Sequence, residues 1–109
     1  MIKFSENSIQ TSAVTPDRIN MDYYISNNTY YFAPDKIFDD GSKTYFKMKK
    51  NMPEMPVIFM RGDDGKYSQV PFVVGSNDEI VVNRTAKKFK FVLGKKSLTV
   101  TNNRYIPVQ

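Results

Sequence analysis

Apolar and polar residues alternate over short stretches of this chain. Met21, Tyr23 and Ile25 alternate with Asp22, Tyr24 and Ser26, and Thr44, Phe46 and Met48 alternate with Tyr45, Lys47 and Lys49. Phe89, Phe91 and Leu93 face away from Lys88 and Lys90, and Leu98 and Val100 from Thr99 and Thr101. A two-residue period marks a strand with one face turned to a core. Tyr30 to Phe32, Ile37-Phe38 and Ile80 to Val82 add further extended runs. Tyr67 to Val74 reads as one strand with Val70, Phe72 and Val74 on one side. Val57 to Met60 is apolar at every position, so either both its faces are covered within the fold or one is covered by another chain.

Turn residues separate these runs at intervals of roughly 8–12 residues, the spacing of sandwiches and small barrels. Asp39-Asp40-Gly41-Ser42 and Asp63-Asp64-Gly65 are acidic turns, and Gly94-Lys95 is a tight one. Aspartate bonds nearby backbone N–H groups, and glycine supplies positive φ at no steric cost. Asp40, Gly41, Asp64, Gly65 and Gly94 are therefore expected to be structural turn positions. No window carries an i, i+3, i+4 apolar stripe with helix caps. The pattern predicts an all-β chain: an antiparallel β-sandwich of about seven to nine short strands, with a small barrel fitting the alternation equally well. Residues 1–18 are polar and aperiodic, which predicts a flexible leader. The sandwich is expected over 19–106 and a short tail over 107–109.

Composition agrees. Isoleucine and valine number 18 against five leucines and alanines together, with 15 aromatic residues. β-Branched and aromatic side chains suit a pleated sheet and build helices poorly. The chain contains neither cysteine nor histidine. That excludes disulfides, thiolate metal sites, cysteine nucleophiles and most histidine-dependent hydrolase and zinc chemistry. The remaining carboxylate pairs are explained by their turns, and neither loop has the oxygen-ligand spacing of a calcium site. No catalytic residue, metal, cofactor or small-molecule substrate is expected. The N-terminal run has no apolar block of the signal-peptide kind.

Charge adds an asymmetry. Residues 1–40 carry a net charge of −3 and residues 41–109 a net charge of +8. Arg84, Lys87, Lys88 and Lys90 lie in the densest basic stretch and are expected to form an electrostatic face. Such a face suits phosphate, acidic lipid or an acidic partner, although lysines guarding a sheet edge explain it more simply. Nucleic-acid binding also needs aromatic platforms among the cations. Here Phe89 and Phe91 turn inward, which argues against nucleic acid as a partner. A nucleic-acid-binding small β-barrel using the basic face is kept as the alternative, with a carbohydrate-binding sandwich presenting Tyr23, Tyr24, Tyr30 and Tyr31 behind it. Binding character is otherwise greatest in two strands, one an early edge and one apolar throughout. Met21, Tyr23, Ile25, Ile58 and Met60 are the expected partner contacts, since open edges recruit extended peptides.

The order of turns and aromatics resembles a known family. The run Ile37-Phe38-Asp39-Asp40-Gly41 followed by Thr44-Tyr45-Phe46 is similar to the opening of the C-terminal domain of the TrbG/CagX/TraO family. The similarity continues through Pro56-Val57-Ile58-Phe59, Asp64-Gly65, Val70-Pro71-Phe72, Ile80 to Phe89, Leu93-Gly94-Lys95-Lys96 and Asn102 to Tyr105. The chain departs from most members in having no tryptophan. The resemblance implies a sandwich in the Gram-negative periplasm, associated with the outer membrane, in the outer-membrane core complex of a type IV secretion system. Its implied role is non-enzymatic. Its implied partners are a small outer-membrane lipoprotein that wraps the domain, the core subunit that crosses the outer membrane, and copies of itself in a ring.

Overall fold

The computed structural model describes residues 19–105. The leader expected over 1–18 and the tail expected over 107–109 lie outside the described residues. Nine strands are present among the described residues: β1 (Tyr23–Ile25), β2 (Lys36–Asp39), β3 (Thr44–Lys47), β4 (Val57–Arg61), β5 (Tyr67–Gln69), β6 (Val73–Val74), β7 (Glu79–Val82), β8 (Lys88–Leu93) and β9 (Lys96–Asn102). A single 3₁₀ turn, Ser76–Asp78, precedes β7.

The strands form two antiparallel sheets. One has five strands in the order β1-β9-β8-β4-β5, the other four in the order β2-β3-β7-β6. The two-residue period dictates what lies between them. Ile37, Phe46 and Ile80 stand in one register row of the smaller sheet, and Ile58, Phe91 and Leu98 in one row of the larger. All six are buried. Phe46 meets Phe89 and Phe91 edge-on, with ring centroids 5.3 and 5.0 Å away. Edge-to-face packing suits the ring quadrupoles and adds about 0.5–1.5 kcal/mol per pair beyond burial. This is the expected β-sandwich; the two separate sheets decide it over the barrel that the alternation also allowed.

The turns follow the local chemistry. β8 and β9 join through Gly94-Lys95, with Leu93 opposite Lys96. Gly94 takes φ +63 while Lys95 stays at negative φ, the backbone of a turn whose first central position needs positive φ. In the β2–β3 turn, Asp40 Oδ1 accepts the N–H groups of Ser42 (2.9 Å) and Lys43 (2.8 Å). Burial works against ionisation of Asp40. The N–H groups of Lys43 and Ser42 and the Tyr45 hydroxyl outweigh it and hold the carboxyl below its ordinary value.

Three local expectations change. Tyr67 to Val74 is two strands in two sheets: β5 pairs with β4, and β6 pairs with β7. Pro71 lies between them and has no N–H for a continuous ladder, so the chain crosses from one sheet to the other there. Val70 plugs the crossing as a buried residue, whereas Val74 is exposed. Tyr30 to Phe32 is a turn rather than an extended run, closed by the Ala33 N–H donating to Tyr30 O at 3.0 Å. Phe32 is fully buried from that turn, stacked on Tyr30 at 5.1 Å. Finally, β4 is covered on one face only. Ile58 and Met60 point into the core, while Val57 and Arg61 are exposed.

Candidate functional site

β1 and β2 are edge strands of different sheets, and they lie near each other. Between them runs a groove of about 230 Å³ lined by Met21, Tyr23, Ile25, Asp35, Lys36 and Ile37. Three of the expected contact residues, Met21, Tyr23 and Ile25, are brought together here. Met21 is 57% exposed, and Tyr23 and Ile25 are half-buried against the core. The Ser26 N–H bonds Thr99 O at 2.9 Å, so backbone groups of even residues in β1 face β9. Alternation then directs those of Ile25 to the open side. In β2 the Asp39 N–H faces outward to Asn20 O at 3.0 Å, so those of Ile37 also face the groove. The groove thus has a hydrogen-bonding edge on each wall and an apolar floor.

A polar clasp closes one end. Asn20 bridges to Asp39 outside the named strands. Its side-chain amide donates to Asp39 Oδ2 (2.9 Å) and to Asn102 Oδ1 (2.8 Å). The Tyr23 hydroxyl donates to the same Asp39 oxygen at 2.5 Å, and the Gly41 N–H donates to Asp39 Oδ1 at 3.0 Å. Asp39 is 5% exposed, so each donor replaces water that the carboxylate has lost. The phenol of Tyr23 is pushed well above its ordinary pKa, first by burial and then by its bond to Asp39 and that group's negative charge. The clasp joins the segment before β1, the end of β2 and the end of β9. Asp39 reads in sequence as a turn residue; it ends β2 and accepts the Gly41 N–H of the turn that follows. Its second role depends on partners 19 and 16 residues away, which no local pattern reveals.

The outward faces carry the other candidate residues. Phe38, Tyr45, Val81 and Val73 occupy one register row across all four strands of the smaller sheet. Phe38 and Tyr45 stack at 4.7 Å, and Val73 is 67% exposed. Sequence reasoning missed this row. Its signal was the apolar pairs Ile37-Phe38, Val73-Val74 and Val81-Val82, in which one member had to face outward. On the larger sheet, Lys88 and Lys90 stand outward on β8, with Lys90 over the Tyr67 ring at 5.8 Å. Arg84 and Lys87 lie instead in the β7–β8 connection and line cavities at that end of the sandwich. The expected single basic face is therefore split in two. Ile58 and Met60 are only 0% and 6% exposed, so they build the core beneath β4, and Val57 and Phe59 occupy its outer face.

Asp40, Gly41, Asp64, Gly65 and Gly94 all sit in turns, with φ of +90, +82 and +63 at the three glycines. The Lys66 N–H donates to Asp64 Oδ1 at 3.0 Å. Among the described residues no group of three carboxylates stands close enough to hold a metal ion, and no helix is long and apolar enough to cross a membrane.

Comparison with known proteins places these features in context. The family described as conjugal transfer protein, CagX, matches residues 2–103. The type IV secretion system protein virB9 of Bartonella quintana (strain Toulouse) is 29% identical over 84 residues, 77% of this chain and 28% of that protein. The virB9 proteins of Brucella abortus (strain 2308) and Brucella suis biovar 1 (strain 1330) are each 28% identical over 96 residues, 84% of this chain and 33% of theirs. The chain spans about a third of the length of the curated relatives it matches.

Proposed function

This chain belongs to the CagX family of conjugal transfer proteins, structural subunits of type IV secretion systems in the cell envelope, and from that premise we propose that its sandwich is a non-enzymatic scaffold that holds a small outer-membrane lipoprotein in the groove between β1 and β2. The supporting observation is the pair of open strand edges flanking an apolar floor. An extended segment laid there gains backbone hydrogen bonds from Ile25 and Ile37 and side-chain burial against Met21, Tyr23 and Ile25. The domain works in the periplasm, beside the outer membrane. The outward row Phe38–Tyr45–Val81–Val73 is offered to a neighbouring core subunit or to the next copy in a ring. Its apolar centre and charged margin of Lys36, Lys47 and Glu79 are what an interface core and rim require.

An NMR titration with a peptide from the mature part of the cognate secretion-system lipoprotein tests the groove. Shift changes are expected at Tyr23–Ser26 and Lys36–Asp39. Ile25→Lys is expected to weaken binding at least ~10-fold, because it places a charge in the apolar floor. Changes confined to residues 1–10 refute the assignment.

A further inference from the structure

We propose that the loop end of the sandwich binds a phosphate-bearing group, held by Arg61, Arg84 and Lys87. This site shares no side chain with the β1–β2 groove and does not depend on the lipoprotein reading. Two neighbouring cavities open there, of about 330 and 300 Å³, and Arg61, Gly62, Asp63 and Tyr105 line both. Arg84 lines the first and Lys87 the second. The three cations come from two separate segments, the end of β4 and the β7–β8 connection.

None of the three has an ion-pair partner within 4 Å among the described residues, where the ion pairs found are Lys49–Asp35 and Arg104–Asp22. Asp63 is the one carboxylate lining either cavity. The fold therefore gathers three positive groups around a concave surface lined by a single acid, with the Asp64 carboxylate beside Gly62 accepting the Lys66 N–H. A concave, low-dielectric surface focuses that potential and favours an anion. The Arg61 guanidinium passes over Gly65: its Nη2 and Nε lie 3.6 and 3.9 Å from where a Cβ on Gly65 would stand. The guanidinium thus lies across the bare glycine backbone of the β4–β5 turn.

The donor set selects among anions. A carboxylate needs one planar fork, which a single arginine satisfies. Here two guanidinium groups are joined by the Ser42 and Thr85 hydroxyls and the Asn83 amide around the larger cavity, and the Lys87 ammonium lines the neighbouring one. A phosphate monoester carries about −1.5 to −2 charge at pH 7 and three acceptor oxygens, and it matches donors arriving from several directions. Free phosphate carries comparable charge, and phosphatidylglycerol presents the diester form, one negative charge and two terminal acceptor oxygens, to the same donors.

The test is NMR of the isotope-labelled protein titrated with inorganic phosphate, with sodium chloride of equal ionic strength as the reference. It is followed by co-sedimentation with vesicles of phosphatidylglycerol or of phosphatidylcholine alone. Saturable shifts are expected at Gly62, Arg84, Thr85 and Lys87 in phosphate and not in chloride. Arg84→Gln and Lys87→Gln are each expected to weaken phosphate binding about 10-fold, the loss of one charge-assisted contact. Both side chains are exposed, and unchanged Phe46 and Val100 amides will report an intact core. Sedimentation with phosphatidylglycerol that Arg84→Gln abolishes identifies a headgroup as the source, and phosphate binding without sedimentation identifies a free phosphate. Identical shifts in chloride, or binding untouched by both substitutions, overturn the proposal. So does a poly-glutamate peptide that moves these amides when phosphate does not.

Discussion

Removing one oxygen from Tyr23 tests the clasp that sets the wall of the groove. Asp39 is almost fully buried and relies on three donors: the Asn20 amide, the Tyr23 hydroxyl and the Gly41 N–H. Tyr23→Phe keeps the ring and its packing but deletes the shortest of these bonds. A hydrogen bond to a charged group contributes about 1.5–3 kcal/mol, and losing a donor leaves part of the desolvation of this buried carboxylate uncompensated. A loss of about 2 kcal/mol is expected, a large share of the roughly 5–15 kcal/mol that stabilises a domain. With a urea m-value of about 2 kcal/mol per M, the unfolding midpoint falls by about 1 M. The pH dependence gives a second reading. The Tyr23 phenol has a folded pKa above its unfolded value of about 10, so its contribution is complete below that pH and fades as pH rises beyond it. The wild-type midpoint is expected to decline between about pH 9 and 11, and Tyr23→Phe to decline less. The phenol of Tyr45 is also raised, by burial and its bond to Asp40, so some alkaline slope persists in the variant. A cost below about 0.5 kcal/mol refutes the reasoning, because that is the scale of an uninvolved surface site. An equal cost in an Asp39→Ala background refutes it too, since the effect would then not pass through Asp39.

Two further substitutions probe the frame around the groove. Phe46→Ala removes the ring between Phe89 and Phe91 and is expected to cost about 3–5 kcal/mol by urea denaturation, with Phe46→Leu costing clearly less. Gly94→Ala meets no atom within 4 Å but must hold φ +63, so thermal denaturation is expected to show a loss of about 1–2 kcal/mol, and Gly94→Asn a smaller one.

Local chemistry made much of this architecture legible from sequence. Thr44 and Phe46, Phe89 and Phe91, and Leu98 and Val100 all turn inward as alternation requires. The glycine turns fall where positive φ is needed. Ambiguity entered where successive residues are both apolar. In Val57 to Met60 the pattern cannot choose a face, and pairing with β8 settles it by setting Ile58 opposite Phe91 and Met60 opposite Phe89. Pro71 was visible, but that it carries the chain between sheets depends on β7 offering a second edge to Val73 and Val74. Of the candidate site, Met21, Tyr23 and Ile25 were legible as an edge strand. Their opposite wall, Lys36 and Ile37, was not, because which edge faces which is decided by the stacking of the sheets. The basic cluster divided because Arg84 and Lys87 precede β8, whereas Lys88 and Lys90 belong to it.

The earliest strand pairs with the latest: Tyr24 lies opposite Thr101. β9 is also the longest strand, and it sits second in its sheet, with β8 on its other side. β1 therefore waits on β9 for its only ladder among the described residues. A nascent polypeptide halted before Lys96 has no zipper for β1 and leaves Phe89 and Phe91 with β4 as their lateral neighbour on one side only. Such late closure keeps the groove between β1 and β2 from forming until the chain through Asn102 is complete.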